Sequence, residues 1–297
     1  SHALQMGRVR GVQFRTAVFT NLSQDHLDYH GDMKAYAEAK RQLFLVETLQ
    51  SAVINIDDDY GQQLKKELEG RLRVITYNTN QEFDIGAAEE HVSATITKQQ
   101  LGILSIELSS PWGRGSLNSK LTGDFNAGNL LASLSALCLS GVQFTEALNR
   151  LSKVAAIPGR MECFSKKGWP RVIVDYAHTP DALHKALITL RDITTGKLIC
   201  VVGCGGDRDQ GKRPLMGKIA ETLSDQVILT NDNPRNEDPL SIIDQILSGM
   251  DKTESVRVVT DRSSAINEAI SSAKVDDVIL IAGKGHETWQ EAGGIRS

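Results

Sequence analysis

The chain has 297 residues, 40% hydrophobic and 24% charged, which suits two globular domains with real cores and excludes fibrous and disordered classes. Lys and Arg number 33 against 37 Asp and Glu, a net charge of −4 without a long basic run, so a general nucleic-acid surface is not expected and a phosphorylated substrate must be met by a local site. Cys138, Cys163, Cys200 and Cys204 show neither paired disulfide spacing nor a CxxC motif, as expected of reduced thiols in a cytoplasmic protein; the longest apolar stretch, 130–142, is too short to span a bilayer, and no signal peptide is evident.

In chain order, residues 17–19 read as a short strand, and Asn21, Ser23, Asp25, Asp28 and Gly31 as the turn formers of a loop. Asp32 is the natural N-cap of a helix that runs through alanines 35, 37 and 39 to Phe44. His26 and His30 lie in the loop and Lys40 lies two turns into the helix. A zinc pair at His-x3-His spacing needs a helix to bring both rings to one face, and Gly31 with the Asp32 cap places them before it. Lys40, from its local sequence, reads as a solvated helix lysine. A strand at 52–56, a helix at 60–68 and a strand at 72–77 then alternate as in a parallel α/β sheet. From Phe83 to Gly123 the pattern turns to antiparallel strands at 92–97 and 103–108, with turns at 99–102 and 111–115. A helix over 125–139 opens on Gly-Asp-Phe-Asn-Ala-Gly-Asn; Asn126 and Asn129 read as caps, at a helix N-terminus open to a ligand. A further helix at 145–154 ends before Pro158-Gly159-Arg160, which puts the domain boundary between residues 157 and 158.

The second half begins with strands at 161–165 and 172–176 around a Lys-Lys-Gly-Trp turn. Strands at 198–202, 226–230, 256–259 and 278–282 then alternate with helices from Pro180 and at 214–223, 240–249 and 263–273. This is a doubly wound, Rossmann-like pattern, in which ligands bind at the carboxyl ends of the strands. Gly206 to Lys212 reproduces Gly-x4-Gly-Lys, but Arg213 stands where a P-loop needs a hydroxyl and Pro214 reads as the first helical residue, so the match is a decoy; Arg208 beside it offers a fork to an anion. In Asn-Asp232-Asn233-Pro234-Arg235-Asn-Glu-Asp-Pro, the last two residues read as a helix cap, which leaves Asn233 and Arg235 at the loop apex unexplained. Gly283-Lys-Gly-His-Glu287 follows the last strand, with glycines that permit close backbone approach and a carboxylate suited to an ammonium group.

The run Thr-Asn-Leu-Ser-x-Asp-His-Leu-Asp-Tyr-His-Gly from Thr20, followed by Tyr-x-x-Ala-Lys, closely resembles the central domain of the Mur ligases, the ATP-dependent amino-acid-adding enzymes of peptidoglycan synthesis. The 123–129 segment and the DNPR and GKGHE loops extend the resemblance over nearly the whole chain. It implies a central ATP- and Mg²⁺-binding domain at 1–157 and a Rossmann-like amino-acid-binding domain at 158–297. It also implies metal support from His26 and a carbamylated Lys40, since a carbamate supplies the anionic oxygens that hard Mg²⁺ prefers. Nucleotide contacts fall to Asn126, Arg160 and Asp175, acceptor recognition to Arg208, Asp232, Asn233, Pro234, Arg235, Gly283 and Glu287, and a nucleotide-sugar contact to Arg8. The partners implied are ATP, a UDP-N-acetylmuramoyl dipeptide and, from DNPR, meso-diaminopimelate, whose distal carboxylate an arginine fork would pair; in relatives that add lysine this arginine is typically replaced. A monomer is expected.

The chain begins Ser-His-Ala-Leu and lacks the amino-terminal domain and Walker A loop of the family. The expectation is therefore a piece of a longer enzyme, closing without its last helix, that fails a direct assay of ATP turnover; a catalytically incompetent binding module is the alternative. A dinucleotide-dependent oxidoreductase is disfavoured because no G-x-G-x-x-G opens a helix, and the DNPR and GKGHE loops argue against a folate-polyglutamate ligase.

Overall fold

The computed structural model describes residues 1–25, 27–79 and 90–296, which divide into two units, Ser1–Ala155 and Ala156–Ser297. In the first, a short helix α1 (His2–Gln5) precedes β1 (Thr16–Phe19), α2 (Leu27–His30) and α3 (Met33–Arg41), which a 3₁₀ turn continues through Gln42–Leu45. There follow β2 (Ser51–Asn55), α4 (Asp59–Leu68), β3 (Arg73–Asn78), β4 (His91–Gln100), β5 (Ile103–Ser110), β6 (Gly113–Ser119), α5 (Phe125–Leu139) and α6 (Phe144–Leu151). The strands form one sheet in the order β1-β2-β3-β4-β5-β6, parallel up to the β3–β4 pair and antiparallel beyond it.

Period-2 alternation makes this sheet the middle layer of the unit. Ala52 and Ile54 pack with Phe19, Phe44, Leu64 and Leu68 on one face, while Val53, Ile75 and Tyr77 pack with Leu130, Leu131 and Leu134 of α5 on the other. Each buried Val, Leu, Ile or Phe side chain among these contributes about 1.5–3 kcal/mol. Two details depart from expectation. The loop after β1 contains the one-turn α2. The turn expected at 111–115 is tighter, and residues from Gly113 onward pair with β5 along its length. Phe83, where the antiparallel stretch was expected to begin, lies outside the described residues.

The second unit comprises β7 (Glu162–Phe164), β8 (Arg171–Asp175), α7 (Pro180–Arg191), β9 (Leu198–Val202), α8 (Lys212–Leu223), β10 (Gln226–Leu229), α9 (Pro239–Leu247), β11 (Val256–Val258), α10 (Arg262–Ser272), β12 (Val278–Ala282) and the small hairpin β13 (Glu291–Ala292) and β14 (Ile295–Arg296). The sheet order is β11-β10-β9-β12-β8-β7, parallel except for β7. The central strands β9 and β12 are buried at every position, as parallel strands covered on both faces must be. Helices α7, α8 and α9 pack on one another in turn, while Ala265 and Ala269 of α10 join the cluster of Ile199, Val201, Ile228 and Ile279. Helix α8 starts at Lys212, two residues earlier than expected, with Gly211 as N-cap, so Pro214 lies within the first turn rather than at its first position. The parallel strands all deliver their carboxyl ends to one edge, where the loops 203–211, 231–238 and 283–287 meet.

Candidate functional site

The apex of the 231–238 loop is the centre of this edge. Asp232 and Asn233 are buried, and Arg235 is half-buried with φ 52°, a left-handed backbone unusual for a side-chain-bearing residue. The conformation is held from outside. Arg235 N–H donates to Glu291 O at 2.9 Å, Gly293 N–H donates back to Arg235 O at 2.6 Å, and Gln290 Nε2 donates to Asp232 O at 2.7 Å. A strap from residues 290–293 thus fastens the apex. The Arg235 guanidinium donates to Gly206 O at 2.6 Å, and among the described residues its other N–H groups meet no acceptor.

Beside it stands a polar cluster that combines predicted and unpredicted residues. Asn233 Nδ2 donates to Glu287 Oε2 at 3.1 Å, and the buried Lys284 ammonium donates to Asn233 Oδ1 at 2.9 Å and Glu287 Oε2 at 3.1 Å. Tyr176 Oη donates to Glu287 Oε1 at 3.3 Å. Burial works against the Glu287 charge, yet the hydrogen bonds from Lys284 and Asn233 hold its carboxyl below the usual range. A carboxylate offers about four lone-pair sites, so this pattern leaves one on Oε1 for an incoming donor. Gly283, at φ 110°, lies so close that a Cβ there would stand 2.7 Å from Asp232 Oδ2, so a side chain would be strained in its backbone and would have to displace that carboxylate. Lys284 and Tyr176 were not singled out in the sequence. Their signal was present in GKGHE and Asp-Tyr-Ala-His, but their partners lie 51 and 111 residues away in the chain.

Arg160 stacks its guanidinium on the Tyr176 ring, 4.4 Å from the centroid. Asp175 closes the neighbouring strand; it accepts the Met161 and Ala177 N–H groups at 2.7 and 2.8 Å, and burial pushes its carboxyl above the ordinary value against those bonds. The second unit therefore gathers all its candidate residues at one edge. Arg208 and Arg160 are the exposed ones among them, and Arg208 donates to Asp207 O at 3.0 Å. The P-loop-like match proves to be scaffold: Lys212 Nζ donates to His178 O at 2.8 Å, and Arg213 is fully buried against Glu237.

In the first unit the described candidates sit on separate elements. Asp32 caps α3 as expected, accepting Ala35 N–H at 2.7 Å. Lys40 Nζ lies 4.9 Å from the centre of the Tyr36 ring; burial pushes its ammonium below the ordinary value, and the carboxylates of Asp25 and Asp58 only partly oppose this. Asp58 caps α4 and accepts Leu22 N–H at 2.8 Å, which ties the loop after β1 to that helix. His26 lies outside the described residues. His30 stacks on Tyr36 with ring centroids 4.9 Å apart. Asn126 Nδ2 donates to Thr122 O at 2.8 Å and its Oδ1 accepts from Asn129 Nδ2 at 3.0 Å, so neither amide caps α5 as expected; the N-cap is Asp124, whose carboxylate accepts Phe125 N–H at 2.7 Å. Arg8 is exposed.

Two family models divide the chain between them: one described as Mur ligase middle domain matches residues 1–137, and one described as Mur ligase, glutamate ligase domain matches residues 159–285. The chain belongs to the Mur ligase family. It is 50% identical over 98% of its length to the UDP-N-acetylmuramoyl-L-alanyl-D-glutamate--2,6-diaminopimelate ligase of Coxiella burnetii and 47% identical over its whole length to the protein of that name from Chromobacterium violaceum. It spans 59% of each of those relatives. A solved structure of a UDP-N-acetylmuramoyl-L-alanyl-D-glutamate--2,6-diaminopimelate ligase superposes with a TM-score of 0.60 at 39% identity, covering 99% of this chain and 60% of that one. The mixed α/β architecture with parallel sheets is thus that of the family.

Proposed function

We propose that this chain is the central and acceptor-binding part of an ATP-dependent ligase that joins meso-diaminopimelate to UDP-N-acetylmuramoyl-L-alanyl-D-glutamate in the cytoplasm. In this reading residues 1–157 serve ATP and residues 158–297 the amino acid, in a monomer without nucleic-acid or membrane partner. Among the described residues, no helix is long and apolar enough to cross a membrane.

The observation that carries the proposal is the receptor at the 231–238 apex. A zwitterionic amino acid with a second, distal zwitterionic centre needs a cation fork and an anion held a few ångströms apart. Arg235 retains most of its donors and Glu287 retains one acceptor site on Oε1. Arg208 borders the same edge, and Gly283 keeps the backbone open beside Asp232. In the reaction, the glutamyl carboxylate attacks the γ-phosphorus of ATP and ADP leaves; the acceptor amine then attacks the acyl carbon, phosphate leaves with the C–O electron pair, and the nitrogen gives up a proton as the amide forms. The protein's task in both steps is to orient the amine and exclude wrong acceptors. Asn126, Arg160 and Asp175 are assigned to the nucleotide and Arg8 to the nucleotide sugar.

Lys40 fits the expected carbamate, because a half-buried amine with a lowered pKa presents more of the unprotonated form that takes up CO₂. Carbamylated Lys40 and His26 would hold Mg²⁺, which when bound neutralises charge on the phosphate oxygens.

Calorimetric titration of the chain with meso-diaminopimelate and, in parallel, L-lysine tests the receptor. The expected result is preference for diaminopimelate by about 2–3 kcal/mol, the worth of charge-assisted hydrogen bonds to the distal carboxylate. Equal binding of both removes Arg235 from the acceptor site.

A further inference from the structure

Among the described residues Arg213 is the largest fully buried side chain, and it occupies the position where the P-loop-like match fails. Its fork grips Glu237 with two parallel bonds, both 2.8 Å, and it also donates to Gln245 Oε1 at 2.9 Å and to Gly205 O at 3.0 Å. Arg213 rises from the start of α8, Gly205 belongs to the 203–211 loop and Glu237 to the 231–238 loop. One guanidinium therefore ties both loops to the helix. Glu237 returns the connection, accepting Asp207 N–H at 2.5 Å, and Asp207 in turn accepts the Asn236 side-chain amide at 2.8 Å. A second lacing runs closer to the ligand edge, from Gly206 N–H to Asn233 O at 2.9 Å and from Arg235 to Gly206 O at 2.6 Å. The lacing spans the two side-chain-bearing residues with left-handed backbone in these loops, Asp207 and Arg235, each at φ 52°. Neither conformation is one that its residue prefers, so each depends on its surroundings.

We propose that Arg213 is a positioning residue for acceptor specificity: by clamping Glu237 and Gly205 it sets the register of the two loops that present Arg208 and Arg235, while the strap at 290–293 fastens the 231–238 apex from its other side. The role rests on the acceptor reading given above. It requires the planar fork, because lysine has the charge but no pair of parallel N–H groups to grip both oxygens of Glu237 while also meeting Gln245 and Gly205.

The test compares Arg213→Lys with the wild-type chain in two measurements. The first, amide hydrogen exchange, needs no ligand. Gly206 and Asp207 should exchange about tenfold faster in the variant, while Val201 and Ile281 in the sheet stay unchanged. The second is the affinity ratio of meso-diaminopimelate to L-lysine, which should fall by about fivefold or more in Arg213→Lys and fall no further when the substitution is added to Arg235→Ala. Unchanged exchange overturns the clamp. Faster exchange with an unchanged ratio, or full additivity with Arg235→Ala, overturns the specificity role. A wild-type chain that binds both amino acids alike overturns the acceptor reading and the specificity role with it, and the exchange rates then uphold or overturn the clamp alone. Should Arg213→Lys not fold, Glu237→Gln is read by the same two measurements.

Discussion

Arg213 and Arg235 stand at the same sheet edge and carry the same guanidinium, yet the structure uses them in opposite ways. Arg213 is fully buried and has four of its five N–H groups on protein acceptors, leaving only Nε without one. Arg235 is half-buried and spends a single N–H on Gly206 O. The first arginine is consumed by the fold; the second is held in place by its backbone and keeps its fork for something else. Residue type and loop position do not separate the two roles. The inventory of satisfied donors does.

Substitutions can break or sharpen this contrast. The largest effect is expected from Arg213→Met, which leaves Glu237 as an uncompensated, mostly buried carboxylate and should cost about 3–5 kcal/mol of stability in thermal or denaturant unfolding. A cost as small as that of a surface substitution would mean that Arg213 is not a strut. Next comes Arg235→Ala, with little effect on unfolding but a loss of about 2–3 kcal/mol in meso-diaminopimelate affinity by calorimetry. If instead Arg235→Ala unfolds the protein and spares binding, the two roles are exchanged.

Smaller, and dependent on pH, is the effect of Glu237→Gln. Its bonds to Arg213 hold the Glu237 carboxyl below the ordinary value of 4.5. A depressed folded-state pKa contributes stability that is present above the unfolded value and lost as pH falls through the folded one. Glu237→Gln should therefore be less stable than wild type by about 2 kcal/mol at neutral pH, with the gap closing as pH drops below 4.5. A gap that persists in acid would point to packing rather than charge. The smallest effect belongs to Arg235→Gly: removing the Cβ from a φ of 52° should raise stability by about 1 kcal/mol while selectivity is lost, a gain that equilibrium unfolding would register.

Much of the fold was legible because its signals are local. Asp32 caps α3, Asp238 with Pro239 opens α9, and the apolar run of α5 has the bounds its sequence suggests. Strand β6 was not legible. Gly-Arg-Gly-Ser-Leu-Asn-Ser carries one apolar residue, and its glycines look like turn formers; in the structure a Cβ on Gly115 would lie 2.8 Å from Leu148, so the glycine is there to let α6 approach. The site divides along the same line. DNPR and GKGHE announce themselves as loops at strand ends, whereas the roles of Arg213, Lys284, Tyr176 and Gln290 depend on partners brought together only by the finished sheet. The assignments of Asn126, Arg8 and His26 came from resemblance, and the Asn126 side chain is engaged within its own helix start, by Thr122 O and the Asn129 amide.

The strap that bridges Glu291 and Gly293 to Arg235 has a consequence in time. A ribosome completes the DNPR loop well before it completes the strap, by roughly several seconds at ordinary rates of synthesis. During that interval the sheet can assemble around β9 and β10, but the apex lacks the bridge that fixes its left-handed turn. Amino-acid recognition is thus acquired only after the strands that carry its loops, and a chain released before Gln290 would carry the recognition sequence without the means to hold its shape.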